Sequence, residues 1–322
     1  MKEKLLELLK NTDGYLSGEE IGSTLGVSRA AVWKNINALR KDGFVIEAVT
    51  NKGYKLSEEA DIISSNFIEK NINTKYLAKK VIFMPTVDST NEECKRLASE
   101  GEKEGTLVVA DEQTGGKGRR GRLWKSEKGS GIWMSIILRP EISPWNVSSI
   151  TLVAGLAVSK AVKEVSGLDA GIKWPNDIYV NGKKLCGILT EMSAQIQQVD
   201  FVVVGIGINV NTQYFPSELE NIACSLYTEA NVKFERNKII ASVWENFEKL
   251  YDVFKEKGFE ALKKEYEENC INIGKRVRVI AKDGYEAETV GINENGELLV
   301  KTDEGEIKTV FSGEVSIRNI QA

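Results

Sequence analysis

Histidine is absent from the 322-residue chain. Its absence removes Ser-His-Asp and Cys-His activation of a nucleophile, histidine-ligated metals and any proton shuttle through an imidazole. The chemistry must be carried by lysine, arginine, carboxylates and backbone amides. The four cysteines, Cys94, Cys186, Cys224 and Cys270, include no C-x-x-C pair, so neither a disulfide framework nor a zinc site is expected and the thiols read as reduced. No apolar run approaches the roughly 18 residues of a membrane span, and Met1 leads into a charged amphipathic segment rather than a signal peptide. A cytoplasmic protein with no membrane partner is expected. Internal repeats and low-complexity segments are missing as well. So is a strong net charge: at −4, any contact with nucleic acid has to come from a local basic patch.

What remains is ordinary globular composition, 42% hydrophobic and 28% charged, at a length that suggests two or three domains. Residues 1–60 read as three short helices and a hairpin. Leu5, Leu6 and Leu9 stripe the first helix. Ser17 and Glu20 fit a capping box before the second, which carries Ile21 and Leu25, and Gly26 then turns the chain. Ser28 is placed to cap a third helix whose Val32, Ile36 and Leu39 face the core at i, i+4 and i+7. Its other face offers Arg29, Trp33, Asn37 and Arg40, joined by Lys34 and Lys41, and no acidic residue occurs between positions 21 and 41. That is the profile of a DNA recognition helix. Strands at 44–46 and 54–56 around Thr50-Asn51-Lys52-Gly53 add a wing. A winged helix-turn-helix is therefore expected; the alternative, a protein-docking three-helix module, fits less well because an acid-free basic face suits phosphates.

Residues 57–65 read as a polar linker. From about 66 to 270, apolar strands near 107–110, 132–138, 185–191 and 201–206 mix with helices near 150–165 and 238–254, the pattern of an α/β or α+β catalytic domain. Beyond residue 274 short alternating strands near 276–280, 286–292, 298–302 and 307–310 are separated by Asp283-Gly284, Asn295-Gly296 and Asp303-Glu304-Gly305 turns, which suggests a small barrel.

The most informative stretch is Gln113-Thr114-Gly115-Gly116-Lys117-Gly118-Arg119-Arg120-Gly121-Arg122, with Trp124 just beyond. Its last eight residues hold four cations and four glycines, which repel one another in a compact loop unless an anion gathers them. An oligophosphate fits, with glycines admitting backbone N–H groups to it. The stretch is no P-loop, since Gly118 follows Lys117 where Ser or Thr is required; a mobile basic surface loop or an RNA contact is the other reading. Gly205-Ile206-Gly207-Ile208-Asn209-Val210-Asn211 resembles a dinucleotide fingerprint but has Val210 at the third glycine position. Close approach by a ligand or another backbone and a purely structural role both remain open for these glycines. Lys173-Trp174-Pro175-Asn176-Asp177 groups a cation, an amide and a carboxylate around a rigid proline; alone it could be a turn.

Together, Asp88-Ser89-Thr90-Asn91, the loop at 115–122, residues 173–177, Lys184-Leu185-Cys186-Gly187-Ile188-Leu189 and residues 205–211 follow the order and approximate spacing of biotin protein ligases. The head, and Ser312-Gly313-Glu314-Val315-Ser316 in the tail, extend the resemblance to bifunctional ligases that also repress biotin genes. The resemblance implies an α+β multidomain chain. Its parts would be a winged helix-turn-helix at 1–60, a mixed-sheet ligase domain at 66–270 akin to class II aminoacyl-tRNA synthetases and lipoate ligases, and an SH3-like barrel at 271–322. It implies that Ser89, Thr90, Asn91, Gln113 and Gly118 hold biotin, that Lys117 and Arg119 close over the ligand, and that Lys184 meets both the biotin carboxylate and the α-phosphate. Gly116, Arg120, Arg122, Trp133, Asn176, Gly187 and Asn209 would lie near ATP or the adenylate, and Ser28, Arg29, Ala30, Lys34, Asn37, Arg40, Asn51 and Lys52 on DNA. No residue is assigned to a metal, although Mg²⁺ would accompany ATP. The implied partners are a biotin carboxyl carrier protein, operator DNA and a second copy in a ligand-linked homodimer. Lys117 departs from the arginine of many relatives, losing a bidentate fork while keeping the charge.

On this reading the missing histidine has a physical reason. Biotin's carboxylate is already ionised at neutral pH, so attack on the α-phosphate needs charge neutralisation and alignment, not a base. The acceptor lysine must later lose a proton, and Asp177 either orients or deprotonates it, or merely supports its loop or binds metal. The rival readings are a lipoate-type acyl-adenylate ligase, a non-catalytic biotin sensor, and a ligase whose head is a relic.

Overall fold

The leucine and isoleucine spacing of the N-terminal segment produces three helices in the computed structural model, which describes every residue except 13, 42–43, 57–60, 196–197, 281–283, 312–315 and 320–322. Helices α1 (Lys2–Lys10), α2 (Gly18–Leu25) and α3 (Arg29–Lys41) meet over a core that includes Leu5, Leu9, Ile21, Val32, Ile36 and Leu39. The expected capping box starts α2, with Glu20 N donating to Ser17 Oγ at 3.1 Å and Ser17 N to Glu20 Oε2 at 2.8 Å. Gly26 ends that helix in the left-handed region at φ 67°. Ser28 Oγ then accepts from Ala31 N at 3.3 Å to begin α3. An antiparallel hairpin follows, β1 (Ile46–Val49) and β2 (Gly53–Leu56). Its first strand begins later than the residue-44 start expected, because Phe44 is drawn into the helical core and its N–H bonds Leu39 O at 3.0 Å.

Contacts divide the chain after Ile62 into two units. The second opens with α4 (Ser65–Asn71), β3 (Lys80–Met84), α5 (Thr90–Ser99), β4 (Thr106–Ala110) and β5 (Gly131–Leu138). It continues with α6 (Val147–Ser166), the short β6 (Gly171–Lys173) and β7 (Asp177–Val180), and the long β8 (Lys183–Gln195) and β9 (Gln198–Asn209). Seven strands form one sheet in the order β3-β4-β5-β9-β8-β7-β6; β3 and β4 are parallel and every other neighbour antiparallel. This is the mixed sheet expected.

After α7 (Leu226–Ala230), α8 (Arg236–Lys257) joins α6 against one face of that sheet, and α9 (Glu260–Asn269) packs alongside. Period-two alternation sorts the strands. On β9, Val202, Val204, Ile206 and Ile208 enter this main core, while Phe201 and Val203 pack under α5 on the other face. Alternation therefore puts Gly205, Gly207 and Asn209 on the α5 face, where the N-terminus of α5 leaves room above the sheet. The α6 region, Pro144–Ser166, is long and apolar enough by length and composition to cross a membrane, but 72% of its apolar window is buried inside the structure. It serves as a core helix.

The tail forms a five-stranded antiparallel sheet ordered β13-β12-β11-β10-β14, from β10 (Arg276–Ile280), β11 (Tyr285–Ile292), β12 (Leu298–Lys301), β13 (Ile307–Val310) and β14 (Ser316–Asn319). Gly296 takes φ 82° at the expected Asn295-Gly296 turn, and its carbonyl accepts from Trp174 Nε1 at 3.0 Å. Asn295 O accepts from Ser149 Oγ at 2.8 Å. The tail is thus tied to the residues beside Asn176. Linker residues 57–60, Asp283 of the Asp283-Gly284 turn and positions 312–315 of the terminal motif lie outside the described residues.

Candidate functional site

Above the α5 face of the large sheet lies a cavity of about 1100 Å³. Its floor is made by glycines. A Cβ on Gly207 would come within 2.6 Å of Trp124 Nε1, one on Gly187 would stand 3.0 Å from the same ring, and one on Gly205 would overlap the Asn91 carboxamide. The Gly-x-Gly pattern thus admits the side chains of Asn91 on α5 and of Trp124 onto the strands, while Gly205 and Gly207 still line the cavity. Gly187 pairs with Gly207, and Leu189 with Gly205, across β8 and β9.

One end of the cavity is uncharged and closely bonded. Ser89, Thr90 and Asn91 open α5, and all three are buried. Gln113 Oε1 accepts from Thr90 N at 2.8 Å while Gln113 Nε2 donates to Ser126 Oγ at 2.8 Å. Buried Ser135 lies 2.6 Å from Asn91 Oδ1.

The other end is cationic. Lys184 Nζ is 2.7 Å from Asp177 Oδ1 and sits over the Trp124 ring, 5.2 Å from its centroid. Arg119 Nη1 donates to Asn176 Oδ1 at 2.8 Å, and Asn176 Nδ2 donates to Asp177 Oδ1 at 3.1 Å. Burial, with Arg120 and Arg122 nearby, pushes the Arg119 pKa below its ordinary value. The four loop cations avoid one another by diverging. Arg119 turns inward, Arg120 adopts a left-handed φ of 58° in a 3-10 turn, Arg120 and Arg122 stay exposed, and Lys117 Nζ pairs with Glu92 Oε1 at 2.6 Å. Among the described residues, seven cationic side chains line the cavity against two carboxylates, Asp177 and Glu127.

Of the expected ligand residues, Ser89, Thr90, Asn91, Gln113, Lys117, Gly118, Arg119, Arg120, Arg122, Trp133, Asn176, Asp177, Lys184, Gly187 and Asn209 line this cavity. Gly116 does not: it is buried against the Trp124 carbonyl, whose N–H it in turn accepts at 2.9 Å. Asn209 also holds Cys224 O through Nδ2 at 3.1 Å. Sequence reasoning noted Lys173 within the 173–177 motif without a role, and missed Tyr179, whose OH is 3.2 Å from Lys173 Nζ, and the 212–223 segment with Tyr214 and Phe215. It also gave Trp124 no role. The indole N–H groups of Trp124 and Trp133 are buried without a hydrogen-bond partner, and the spacing of Trp124 just after the basic loop was the available signal.

In the first unit, Ser28, Arg29, Ala30 and Lys34 are exposed along α3, Asn37 is half-buried, and Asn51 and Lys52 are exposed at the hairpin tip. Arg40 is committed locally: its Nε and Nη2 both donate to Ile46 O, at 3.1 and 2.7 Å. Trp33 stands 60% exposed on the same helix.

Three family profiles match the chain: the HTH domain at residues 2–55, the biotin/lipoate A/B protein ligase family at 83–209 and the biotin protein ligase C terminal domain at 273–318. The bifunctional ligase/repressor BirA of Bacillus subtilis is 40% identical over 321 residues, spanning 98% of both chains. Its Escherichia coli counterpart is 32% identical, over 99% of this chain and 97% of that one. The solved biotin protein ligase of Aquifex aeolicus in complex with biotin and ATP aligns with a TM-score of 0.67 at 36% identity, covering 75% of this chain and all of that one. With this coverage at both sequence and structural level, the chain belongs to the bifunctional ligase/repressor family of biotin protein ligases.

Proposed function

We propose that the chain uses ATP to convert biotin to biotinyl-AMP, transfers the biotinyl group to a lysine of a biotin carboxyl carrier protein, and represses biotin genes through its head. The observation that carries the enzymatic reading is the cavity itself: an uncharged, directional end beside a cationic end built on Lys184 and Arg119. A fused-ring acid with a short polar head fits the first and a triphosphate the second.

In the first half-reaction the biotin carboxylate attacks the α-phosphate and pyrophosphate leaves. Lys184 draws the two anions together, and Arg119, held by Asn176, offers a second cation to the charge that develops on phosphorus. Magnesium fits this donor set. Among the described residues no three carboxylate or thiol ligands cluster, and Mg²⁺ typically rides on phosphates with one or two carboxylates; with Asp177 bound to Lys184, Glu127 of the cavity lining would hold the ion, which would neutralise the phosphates. In the second half-reaction the acceptor amine attacks the acyl carbon and AMP leaves. Asp177 Oδ1 is ion-paired with Lys184, which favours a positioning role for Asp177 before adenylate formation over that of a free base. The loop at 115–122 covers the activated acyl group from water.

The tail sheet, bent by a register shift between Thr289 and Gly291 on β11, supports reading it as an SH3-like barrel. The central fold is read as akin to class II aminoacyl-tRNA synthetases, with domain limits of 1–60, 66–270 and 271–322. A cytoplasmic, adenylate-linked homodimer on paired operator half-sites completes the proposal, since one winged head covers only one half-site. The test is ATP–pyrophosphate exchange by the full chain with biotin or lipoate. Exchange driven by biotin alone supports the ligase; exchange driven by lipoate, or by neither, overturns it.

A further inference from the structure

Three charged groups beside the cavity, Glu191, Lys95 and Glu92, have no part in the chemistry above. Glu191, on β8, accepts from Asn91 Nδ2 through Oε2 at 2.7 Å. Its Oε1 lies 2.9 Å from Lys95 Nζ, which also reaches Glu92 Oε1 at 2.8 Å. The same Glu92 oxygen meets Lys117 Nζ at 2.6 Å. A continuous path of four charged groups therefore runs from a buried cavity amide to the first cation of the glycine-rich loop.

We propose that Glu191, Lys95 and Glu92 form a positioning relay that fixes the orientation of the Asn91 amide and couples it to the Lys117 arm of the loop. This rests on the biotin reading of the uncharged end. A carboxylate only accepts hydrogen bonds, and Leu189 O, also an acceptor, lies 3.2 Å from the same Nδ2. Both hold the amide nitrogen toward β8, so Asn91 Oδ1 must face Ser135. The Ser135 hydroxyl then donates to that oxygen and turns a lone pair toward Thr90 Oγ1, 2.7 Å away. Thr90 Oγ1 thereby directs its one proton to Ser135, and Gln113 Oε1, 3.1 Å from that hydroxyl, accepts from Thr90 N at 2.8 Å instead. One carboxylate thus sets which cavity groups donate and which accept. The relay charges cancel in pairs, so they organise the site without adding to its pull on phosphates. Arginine at position 117, with its planar fork, would engage Glu92 differently; lysine makes a single-point contact.

The experiment measures biotin and ATP dependence of pyrophosphate exchange by the full chain and its variants. In Glu191→Gln the side chain keeps its shape but can donate to Asn91 and permit the amide to flip. The biotin KM is expected to rise about tenfold, the scale of a lost charged hydrogen bond, with kcat within about threefold and ATP KM within about twofold. Glu92→Gln and Lys95→Met, both at partly exposed positions, are expected to raise biotin KM about threefold each. The Glu92→Gln, Glu191→Gln double variant is expected to fall short of the product of the single effects. A biotin KM within twofold of wild type in Glu191→Gln, or a fall in kcat at constant KM, overturns the positioning role. Multiplicative effects, or a Lys95→Met enzyme like wild type, overturn the coupling. Wild-type enzyme without biotin-dependent exchange would instead refute the ligase reading on which the relay rests.

Discussion

Replacing Lys184 with alanine removes the cation at the meeting point of the two substrates. In the transition state for adenylate formation, negative charge gathers on the α-phosphate oxygens. A unit cation about 4 Å from such charge contributes about 4 kcal/mol at an effective dielectric near 20. The loss of a single preorganised donor costs about 10²- to 10³-fold in rate, which agrees with that scale. A second effect adds to the first. Lys184 is the partner of Asp177, at 2.7 Å, so its removal leaves a half-buried carboxylate facing the same anions. Exchange should fall by at least about 10³-fold. Adding Asp177→Asn should then restore about tenfold, since it deletes the uncompensated charge. The double variant would be slower than wild type yet faster than Lys184→Ala. Stability should hardly change: the side chains of the pair are 28% and 22% exposed, where an ion pair is worth about 1 kcal/mol, and Tm should shift by only about 2–4 °C. The assay is biotin-dependent ATP–pyrophosphate exchange alongside thermal unfolding. Exchange within tenfold of wild type, or a double variant slower than Lys184→Ala, would refute this electrostatic account.

Arg119→Gly should still form biotinyl-AMP, because Lys184 remains, but should release it early and raise labelling of bystander lysines; unchanged leakage would mean that the loop is not the lid. Gly207→Ala puts a methyl group 2.6 Å from Trp124 Nε1, so the indole must leave the floor, and a biotin KM that fails to rise severalfold would show that the indole gives way freely. Deleting residues 1–60 should abolish operator binding while leaving exchange within about threefold, measured by gel shift and exchange on one preparation. In the full chain, Arg29→Ala should weaken operator binding, and a salt slope reduced by about one would mark a phosphate contact. A nonhydrolysable biotinyl-AMP analogue should promote dimerisation and operator affinity together; sedimentation showing an unchanged monomer–dimer equilibrium would sever that coupling.

Much of the fold was legible because burial and periodicity coincide. β4, β5 and the helices α6 and α8 carry unbroken apolar faces, and the expected strands and helices fall inside them. The start of β8 and the end of β9 were not visible, since Lys184, Gly207 and Asn209 there serve the cavity instead of the core. β6 and β7 escaped notice for another reason: each has only three or four residues, and the Trp174-Pro175 turn between them looked like a loop by itself. The site was legible where chemistry concentrates in sequence, as at residues 115–122, and illegible where distant positions combine. Glu191 and Asn91 are 100 residues apart, and nothing local announces their bond. Arg40 reads as a DNA contact from its charge alone; its Nε and Nη2 bond Ile46 O, a tertiary contact the sequence does not announce, while the Nη1 donors lie outside that bond.

The cationic cavity belongs to a chain whose net charge is −4. With seven lining cations against two lining carboxylates, the remainder of the molecule is more acidic than the total suggests. Such a separation focuses field lines into the opening. A nucleotide approaching the second unit from solution meets attraction at the cavity mouth, so productive encounters are favoured before any contact forms. The association rate for ATP should therefore fall steeply with ionic strength, over the range in which the screening length shrinks toward the width of the opening. Once ATP is seated, pyrophosphate must escape the same field, and salt that slows capture should hasten its release.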